Sequence, residues 1–372
     1  MLKSLTRLWL SGIKQAAKAQ RSQQKKLLKS LAPKPARKVR ARPAAKSAPA
    51  SGAKRTPAAP SRPIASSRLP GKWLSFYYAS LAEGGVLPGR RMQYFVYLPA
   101  SAPPGPLPMV VMLHGCEQTA AQFAQGTRMN LLAEEKGFAV LYPQQSLRGH
   151  AHRCWHWYER STQDGGDDVR CIAGIIDKVC ASYPVDRARI YAAGLSAGAG
   201  MANILALRHP DKIAAVGLHS GPVYGGGHSK TGAYGVMQLG AAHLADQAIR
   251  TVMTKSVAFP VMPAVLIHGH EDRIVRRVNQ DQLALQFRVL NSLGPASASA
   301  PVSKAARTDA ASPAHAYRLT DYHRGRKLLL RVCDVQNLEH AWSGGDCSLK
   351  YNACPGPDAS RMMWDFFARH QR

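Results

Sequence analysis

The first 82 residues of this 372-residue chain contain no aspartate or glutamate; the first acidic residue is Glu83. Lysine and arginine recur there, and residues 32–63 consist almost wholly of Ala, Pro, Lys, Arg and Ser. A segment with so few bulky apolar side chains cannot bury a core. We therefore expect residues 1–65 to be a basic, disordered extension, which supplies much of the formal net charge of +28. Residues 66–372 are expected to form the folded domain.

Long apolar runs are also missing. No stretch approaches the roughly 18 apolar residues that a membrane-spanning helix needs. The apolar run at residues 8–10 is short and is interrupted by Ser11, Gly12 and Lys14, so no Sec signal peptide is predicted. The absence of a signal peptide favours a cell-associated or cytoplasmic location.

Residues 2–20 have a pattern of their own within the extension. Leu2, Leu5, Leu8 and Trp9 recur near one face of a helix, whereas lysines and arginines lie elsewhere on it. A short basic amphipathic helix of this kind fits an anionic membrane or an apolar granule surface. Two alternatives stay open for the whole tail: a solvated extension without a partner, and nucleic-acid binding through its charge.

The most informative motif is Gly-Leu-Ser-Ala-Gly at residues 194–198. Residues 189–193 before it predict a strand, and residues 199–209 after it are rich in Ala, Leu and Met and favour a helix. A serine between two glycines at such a junction is typical of a nucleophile elbow, which holds the serine Oγ clear of the sheet at the positive end of the helix. The sequence therefore predicts Ser196 as a nucleophile. The alternative is a glycine-rich turn with an incidental serine.

A nucleophilic serine needs a histidine to take its proton and an acid to orient that histidine. Asp272 follows the apolar run at 264–267, and His340 follows the run at 328–332, so each is expected on a loop after a strand. The order serine, acid, histidine is the one that accompanies an elbow. The alternatives are Glu271 and Asp281 for the acid, and His268, His270 and His323 for the base.

The oxygen of an attacked carbonyl group needs N–H donors as it becomes negatively charged. One donor is expected to be the N–H of Ala197, directly after the serine. The second is expected from the loop after the strand at 108–113, where Gly115 allows a tight turn and the N–H of Cys116 would face the substrate.

Strand-like runs alternate with helical patterns through the rest of the chain. The runs lie at 94–98, 109–113, 139–142, 190–193, 214–218, 264–267 and 328–332. One helical face between them carries Val169, Ile172, Ile175, Ile176, Val179 and Tyr183, and residues 362–367 suit a closing helix. This alternation predicts an α/β fold with a mostly parallel sheet and helices on both faces. Residues 292–316, rich in Ala, Ser and Pro, are expected to form a mobile surface loop.

Residues 90–370 resemble the esterases of the polyhydroxybutyrate depolymerase family, which also contains feruloyl and acetyl-xylan esterases. The motifs occur along this chain in the order found in that family. The segments that carry the resemblance are LHGCEQTAAQF at 113–123, GTRMN at 126–130, CWHW at 154–157, YPVD at 183–186, GLSAG at 194–198, VGLHSG at 216–221, HGHED at 268–272, HAWSGG at 340–345 and GPDASR at 356–361. So many linked motifs are far more specific than a single pentapeptide.

The resemblance implies an α/β-hydrolase fold, a Ser196–Asp272–His340 triad, and Cys116 and Ala197 as oxyanion donors. Two departures from the family pattern are visible. His156 stands where an asparagine is commoner, and His270-Glu271 replaces a pair such as Asp-Ala. Much of the family is secreted, so an extracellular location is the alternative to the one given above.

The seven cysteines leave the redox state open. Cys347 with Cys354, and Cys116 with Cys154, are candidate disulfides, and the alternative is that all seven are reduced and packed. The histidines have no metal-ligand spacing such as HExxH, so no metal site is predicted. Ser-His-Asp chemistry needs no cofactor, and none is expected.

Together these features predict a serine esterase that acts through an acyl-enzyme. The expected substrates are short-chain polyhydroxyalkanoate or 3-hydroxybutyrate oligomer esters. Feruloyl or acetyl-xylan type carbohydrate esters are the alternative. The alternative from another class is a non-catalytic protein that binds surfaces or granules through its basic tail. The aromatic residues expected to line the substrate cleft are Trp155, Tyr224 and Trp342. Trp157 is a further candidate, and the alternative of simple core packing is favoured for it.

Overall fold

The computed structural model describes residues 69–81, 88–101, 104–241, 245–255, 258–308 and 313–372. The predicted basic extension at 1–65, with its amphipathic helix at 2–20, lies wholly outside the described residues. No helix among the described residues is long and apolar enough to cross a membrane.

A ten-stranded sheet forms the centre of the domain, in the spatial order β1-β2-β4-β3-β5-β6-β7-β10-β9-β8. Its strands are β1 (Lys72–Leu81), β2 (Pro88–Leu98), β3 (Leu107–Leu113), β4 (Ala139–Gln144), β5 (Val185–Leu195), β6 (Ala215–His219), β7 (Ala264–Gly269), β8 (Val302–Lys304), β9 (Tyr317–Arg324) and β10 (Lys327–Val335). Six neighbouring strands are parallel to one another: β4, β3, β5, β6, β7 and β10. Antiparallel strands flank them on both sides. Two further short strands, β11 (Trp342–Ser343) and β12 (Asn352–Ala353), pair with each other.

Helices cover both faces of the sheet. They are α1 (Ala120–Thr127), α2 (Met129–Lys136), α3 (Arg160–Gln163), α4 (Asp167–Ser182), α5 (Ala197–Arg208), α6 (Lys230–Leu239), α7 (Ala245–Thr254), α8 (Val278–Leu290) and α9 (Ala359–Phe367). Alternate residues of β3 enter opposite cores: Val111 packs in the cluster that includes residues of α4, α5 and α8, and Met112 in the cluster that includes residues of α1, α2 and α9. Burial on both faces explains why the parallel strands are continuous apolar runs.

The predicted α/β architecture is confirmed. Each of the seven predicted runs overlaps one of the strands β2 to β7 or β10, and the predicted helical face at 169–179 is buried within α4. Strands β1, β8 and β9 were not predicted. Tyr77 in β1 is 58% exposed, and β9 is half-buried along most of its length. Edge strands of this kind need no continuous apolar run.

Residues 292–316 contain more regular structure than the predicted loop. A 3-10 turn spans Pro295–Ser297, and β8 pairs with β9. All three residues of β8 are exposed, so backbone hydrogen bonds rather than side-chain burial hold the strand. Composition does not report such pairing, which is why the strand was missed. The mobility of this segment stays a prediction.

The sheet topology gathers four loops at one edge. Parallel strands end at the same edge, and β5, β6, β7 and β10 are consecutive neighbours. The loops after β5, β7 and β10 carry Ser196, Asp272 and His340. Residues far apart in sequence are thereby brought to one side of the molecule.

Candidate active site

Ser196 lies at a strained turn between β5 and α5. Its backbone has φ 56° and ψ −122°, a positive φ that a residue with a side chain rarely adopts. The glycines on either side make the turn possible, because a Cβ on Gly194 would meet the backbone of Gly198, and a Cβ on Gly198 would meet the carbonyl oxygen of Leu113. This is the geometry predicted for a nucleophile elbow.

The elbow is fixed on both sides of the serine. The N–H of Ser196 donates to the carbonyl oxygen of His219 at the end of β6, at 2.9 Å, and the Ser196 carbonyl accepts from Gly200 at 3.0 Å. The residue is 8% exposed. The first-turn N–H groups of α5 lie beside it, where their partial positive charge favours a developing anion.

His340 and Asp272 form a hydrogen-bonded pair. The His340 Nδ1 to Asp272 Oδ2 distance is 2.7 Å. The other carboxylate oxygen accepts the N–H groups of Ile274 and Val275, each at 2.9 Å. Because Nδ1 faces a carboxylate, it carries the imidazole proton, which leaves the Nε2 lone pair of His340 free to accept one. Within the described residues, no hydrogen bond joins Ser196 Oγ to that Nε2 atom.

Asp272 is held in its ionised form. Burial by itself would raise the pKa of this carboxyl group. The hydrogen bond from His340, the charges of His340 and His268, and the N–H of Val275 outweigh burial and lower the pKa below its ordinary value. A carboxylate that stays charged at neutral pH can stabilise a histidinium.

The alternative acids and bases make other contacts. His268 is buried, donates from Nε2 to the carbonyl oxygen of Val275 at 2.7 Å, and lies 3.6 Å from Asp272. His270 accepts from Arg277 at the surface, and His323, on β9, contacts the hydroxyl of Ser299. Two acidic residues are exposed and have no described contact with His340: Glu271 and Asp281.

A disulfide fixes the predicted oxyanion loop. Cys116 is bonded to Cys154, with a Cα–Cα distance of 4.3 Å. The N–H of Gly115 donates to Gln118 Oε1 at 2.9 Å. The hydrogen bond therefore closes the turn at Gly115, and the disulfide holds the side chain of Cys116. The N–H of Cys116 has no acceptor among the described residues. Ala197 is the first residue of α5, so its N–H has no partner within the helix either.

Trp155 supports that loop from inside. Its indole Nε1 donates to the carbonyl oxygen of His114 at 2.9 Å, and its ring lies 5.3 Å from the imidazole of His114. The His114 imidazole in turn accepts the N–H of Gln145 at 3.1 Å. Burial lowers the pKa of His114 to about 4, so this ring is neutral at pH 7. It packs between Trp155 and the backbone of Gln145.

His219 is a functional candidate that the sequence reasoning did not assign. Its carbonyl oxygen holds the N–H of Ser196, and its Nε2 accepts the N–H of Ser343, at 3.2 Å. Its ring stacks on Trp342 at 5.1 Å. It thus connects the elbow with the segment that follows His340. The motif VGLHSG at 216–221 contains this residue, but the sequence does not show which partners its backbone and ring have.

The aromatic residues predicted to line a cleft are packed inside the protein. Trp155 and Trp342 have no exposed surface, Trp157 is 5% exposed and Tyr224 is 7% exposed. The Trp342 indole donates to Ser360 Oγ, and the Tyr224 hydroxyl accepts from Arg208. Contact with a substrate would require these rings to become exposed. Sequence position beside a motif did not reveal which way the rings point.

Both candidate disulfides are present. The second joins Cys347 to Cys354, with a Cα–Cα distance of 5.0 Å. The three free cysteines are Cys171, Cys180 and Cys333. The departure at His156 places an imidazole 3.5 Å from Asp168, a fully buried carboxylate that also binds Arg90 at 2.7 Å. That contact with Asp168 is the main cause that raises the pKa of His156.

No group of three or more side chains suited to a metal ion occurs among the described residues. The arrangement instead offers a serine at a strained turn, a histidine with a free Nε2 and a buried carboxylate. The N–H groups of Cys116 and Ala197, which have no acceptor among the described residues, lie near the serine. This is the set of groups that acyl transfer requires.

The molecule has the fold of the α/β-hydrolase esterases. A solved acetyl xylan esterase from Aspergillus awamori aligns with 75% of this chain and 94% of its own, with a TM-score of 0.59 and 19% sequence identity. The sequence family described as Esterase PHB depolymerase matches residues 92–309, more than half of the chain. The chain belongs to that family.

Curated relatives have two kinds of name. Poly(3-hydroxyalkanoate) depolymerase C of Paucimonas lemoignei is 32% identical over 208 residues, which cover 55% of this chain and 49% of that protein. Poly(3-hydroxybutyrate) depolymerase of Ralstonia pickettii is 32% identical over 171 residues, 42% of this chain and 34% of that protein. Acetylxylan esterase A of Talaromyces purpureogenus is 33% identical over 129 residues, 34% of this chain and 33% of that protein. The chain matches half or less of the length of these relatives.

Proposed function

We propose that this protein is a serine esterase that hydrolyses carboxylic esters through an acyl-enzyme, with Ser196 as nucleophile, His340 as base and Asp272 as its orienting acid. The observation that carries the proposal is the 2.7 Å hydrogen bond between His340 Nδ1 and Asp272 Oδ2, on loops that share the sheet edge with the Ser196 elbow. Family membership supports it independently.

In the first half-reaction, Ser196 Oγ attacks the ester carbonyl carbon while His340 Nε2 takes the hydroxyl proton. Asp272 stabilises the imidazolium through Nδ1. The N–H groups of Cys116 and Ala197 donate to the carbonyl oxygen as it becomes an oxyanion. Collapse of the tetrahedral intermediate breaks the bond to the alcohol oxygen, which leaves with the proton from His340.

The second half-reaction regenerates the serine. His340 Nε2 deprotonates a water molecule, which attacks the acyl carbon held by Ser196. The same two N–H groups stabilise the second oxyanion. When this intermediate collapses, Ser196 Oγ leaves with the proton from His340 and the carboxylic acid is released.

The substrate class we propose is short-chain hydroxyalkanoate esters, such as 3-hydroxybutyrate oligomers. Two relatives named as depolymerases of such polyesters support this choice. A carbohydrate ester of the acetyl-xylan type is the second candidate, because another relative at similar identity is named an acetylxylan esterase. Feruloyl esters belong to the same second class.

The first experiment compares the wild type with Ser196→Ala on p-nitrophenyl butyrate and on 3-hydroxybutyrate oligomers. We expect the variant to lose activity on both, and a fluorophosphonate probe to label Ser196 in the wild type, as read by peptide mass spectrometry. Activity on the small ester but not on the oligomers would redirect the substrate proposal to acetylated xylan. No activity and no labelling would favour a non-catalytic binding protein.

We further propose that residues 1–20 bind an anionic membrane or a polyester granule surface, on the basis of their basic amphipathic pattern alone. Deletion of residues 1–65 tests this, because binding to granules or anionic vesicles should fall while hydrolysis of p-nitrophenyl butyrate is retained. Apolar insertion survives high salt better than counterion release does. Binding to nucleic acid that disappears at high salt would favour the alternative partner.

A further inference from the structure

A polar cavity lies at the same edge of the sheet as the candidate active site. It has a volume of about 320 Å³ and is lined by residues of β8, β9 and β10 and of the loop after β7. Its size is in the range of small-ligand sites. Strands β8 and β9, which the sequence did not predict, form its outer wall.

Cationic side chains predominate in this cavity. Arg277, Lys304 and Arg318 line it, whereas Asp334 is the carboxylate in its wall. Asp334 is almost fully buried, with a side chain 8% exposed, and the two arginines share it: Arg277 Nε lies 3.3 Å from one oxygen and Arg318 Nη2 lies 3.4 Å from the other. Each guanidinium group has five N–H donors, so most of them are not used by this shared carboxylate.

The remaining groups leave room for an anion. Lys304 is exposed and has no ion pair within the described part of the chain. Arg277 Nη1 donates to His270 Nε2 at 3.3 Å, so His270 carries its proton on Nδ1 and can donate it. Asp281 lies 3.9 Å from Arg277, but its side chain is 64% exposed and solvent screens it.

We propose that this cavity binds a small oxyanion, a carboxylate or a phosphate, through the guanidinium groups of Arg277 and Arg318 and the ammonium group of Lys304. Planar forks of N–H donors match the oxygens of both anions, and a lysine adds a point charge that needs no fixed geometry. The cavity requires neither Ser196 nor ester hydrolysis, so the proposal goes beyond the esterase function and does not depend on it.

The cavity wall is continuous with the loops of the candidate triad. His270 is two residues before Asp272, and its N–H donates to Val335 at the end of β10, at 2.8 Å. The next N–H, of Glu271, donates to Leu338 at 3.0 Å, two residues before His340. An anion in the cavity therefore lies against the same pair of loops that position the acid and the histidine.

The first test is a lysine footprint on the full chain, which is insensitive to anion binding by the basic tail because each lysine is read separately. Acetylation rates are measured by mass spectrometry with inorganic phosphate or 3-hydroxybutyrate, at ionic strength matched with sodium chloride. We expect either anion to slow acetylation of Lys304 about fivefold while Lys178, an exposed lysine on α4, is unaffected. Protection by only one of the two anions identifies it as the ligand chemistry. Protection by neither overturns the proposal.

Variants provide the second test, with phosphate or 3-hydroxybutyrate affinity measured by calorimetry. Lys304→Gln and Arg318→Gln should each weaken binding about fivefold, whereas Lys178→Gln should not. Asp334→Asn should act in the opposite direction and strengthen binding, because it removes the carboxylate that competes for both arginines. Equal affinities in folded Lys304→Gln, Arg318→Gln and Lys178→Gln would contradict the proposal.

Discussion

The two ends of the parallel strands are built differently. At the carboxyl end, buried polar side chains bond to one another and to backbone groups, as His340, Asp272, His219 and His114 do. At the amino end, a cavity of about 500 Å³ is lined by prolines and apolar side chains together with basic residues such as Lys327. The cavity at the amino end is thus larger than the 320 Å³ cavity at the carboxyl end, but none of the proposed triad residues lines it.

This difference indicates what defines a reactive site. Burying a polar group costs free energy unless it is hydrogen-bonded, so a set of buried polar side chains persists only when each has a partner in a fixed position. The carboxyl end meets that condition around Asp272, whose two oxygens accept three hydrogen bonds. Cavity volume alone would point to the amino end, away from the proposed triad.

The proposed acid at the carboxyl end should be the most sensitive position of the molecule. Asp272→Asn should lower kcat/KM for p-nitrophenyl butyrate by about 10⁴-fold, because an amide cannot stabilise the histidinium and favours the wrong imidazole tautomer. The variant is nearly isosteric, so circular dichroism and thermal unfolding should show a folded protein.

The rival acids serve as matched controls for that variant. Glu271→Gln and Asp281→Asn remove exposed carboxylates from the neighbouring residue and from the following helix. Each should leave kcat/KM within about twofold of the wild type. A loss in either that equals the loss in Asp272→Asn would reassign the acid.

The two disulfides provide the next comparison, both near the carboxyl end. The Cys116–Cys154 bond closes a sequence separation of 38 residues and the Cys347–Cys354 bond one of 7. A disulfide stabilises the folded protein because it lowers the entropy of the unfolded chain, and a longer loop gives a larger effect. Replacing each pair with alanines should therefore lower the free energy of unfolding by about 4 and about 2.5 kcal/mol respectively. Urea unfolding measures both changes.

Activity should separate the two pairs more clearly than stability. The N–H of Cys116 is a proposed oxyanion donor, and removal of one such donor costs about 10²–10³ in rate. Loosening its loop without removing the N–H should lower kcat by about 10-fold or more, whereas loss of the Cys347–Cys354 bond should change kcat less. Equal kcat losses in the two variants would show that the first bond does not act through the donor.

The features that the sequence predicts are those for which a local pattern has one physical solution. The spacing of Gly194 and Gly198 around Ser196 predicts the elbow, since both glycines are required by backbone atoms that a Cβ would meet. The parallel core was predictable for a related reason: strands buried on both faces, such as β3, must be apolar throughout.

The missed features depend on contacts that sequence does not display. Strand β8 is held by backbone pairing with β9, to which its exposed side chains contribute no pattern. Trp155 and Trp342 follow active-site motifs, but only packing decided that their rings face inward. His219 gains its role from a strand order that brings β6 between β5 and β7.

A smaller effect concerns the protonation of the buried histidines. Burial lowers the pKa of His219 to about 3, with His268 and His340 adding to the shift. Below the unfolded value of about 6.5 the unfolded chain binds a proton that the native ring does not, so stability falls as pH falls from about 6.5 toward 3. One such ring contributes a slope of up to about 1.4 kcal/mol per pH unit.

His219→Gln tests this slope separately from its cost in packing. The variant should be less stable at pH 7, yet its free energy of unfolding should decline less steeply between pH 6 and pH 4 than that of the wild type. Urea unfolding at several pH values gives both quantities. The control is His152→Gln, whose side chain is 67% exposed in the wild type. Parallel slopes for the wild type and His219→Gln would mean that the His219 ring is protonated in the folded protein.

Changes at the amino end of the strands should have little effect on activity. Lys327→Gln and Arg324→Gln remove charges from the rim of the 500 Å³ cavity, on the opposite edge from Ser196. Both residues are exposed, and surface changes of this kind alter stability by about 0.5 kcal/mol or less. Since no proposed reacting group lies there, kcat/KM for p-nitrophenyl butyrate and for 3-hydroxybutyrate oligomers should stay within about twofold of the wild type. A selective rise in KM for the oligomers, with the small ester unaffected, would mean that the chain of a longer substrate reaches this cavity and that the two ends of the sheet act together.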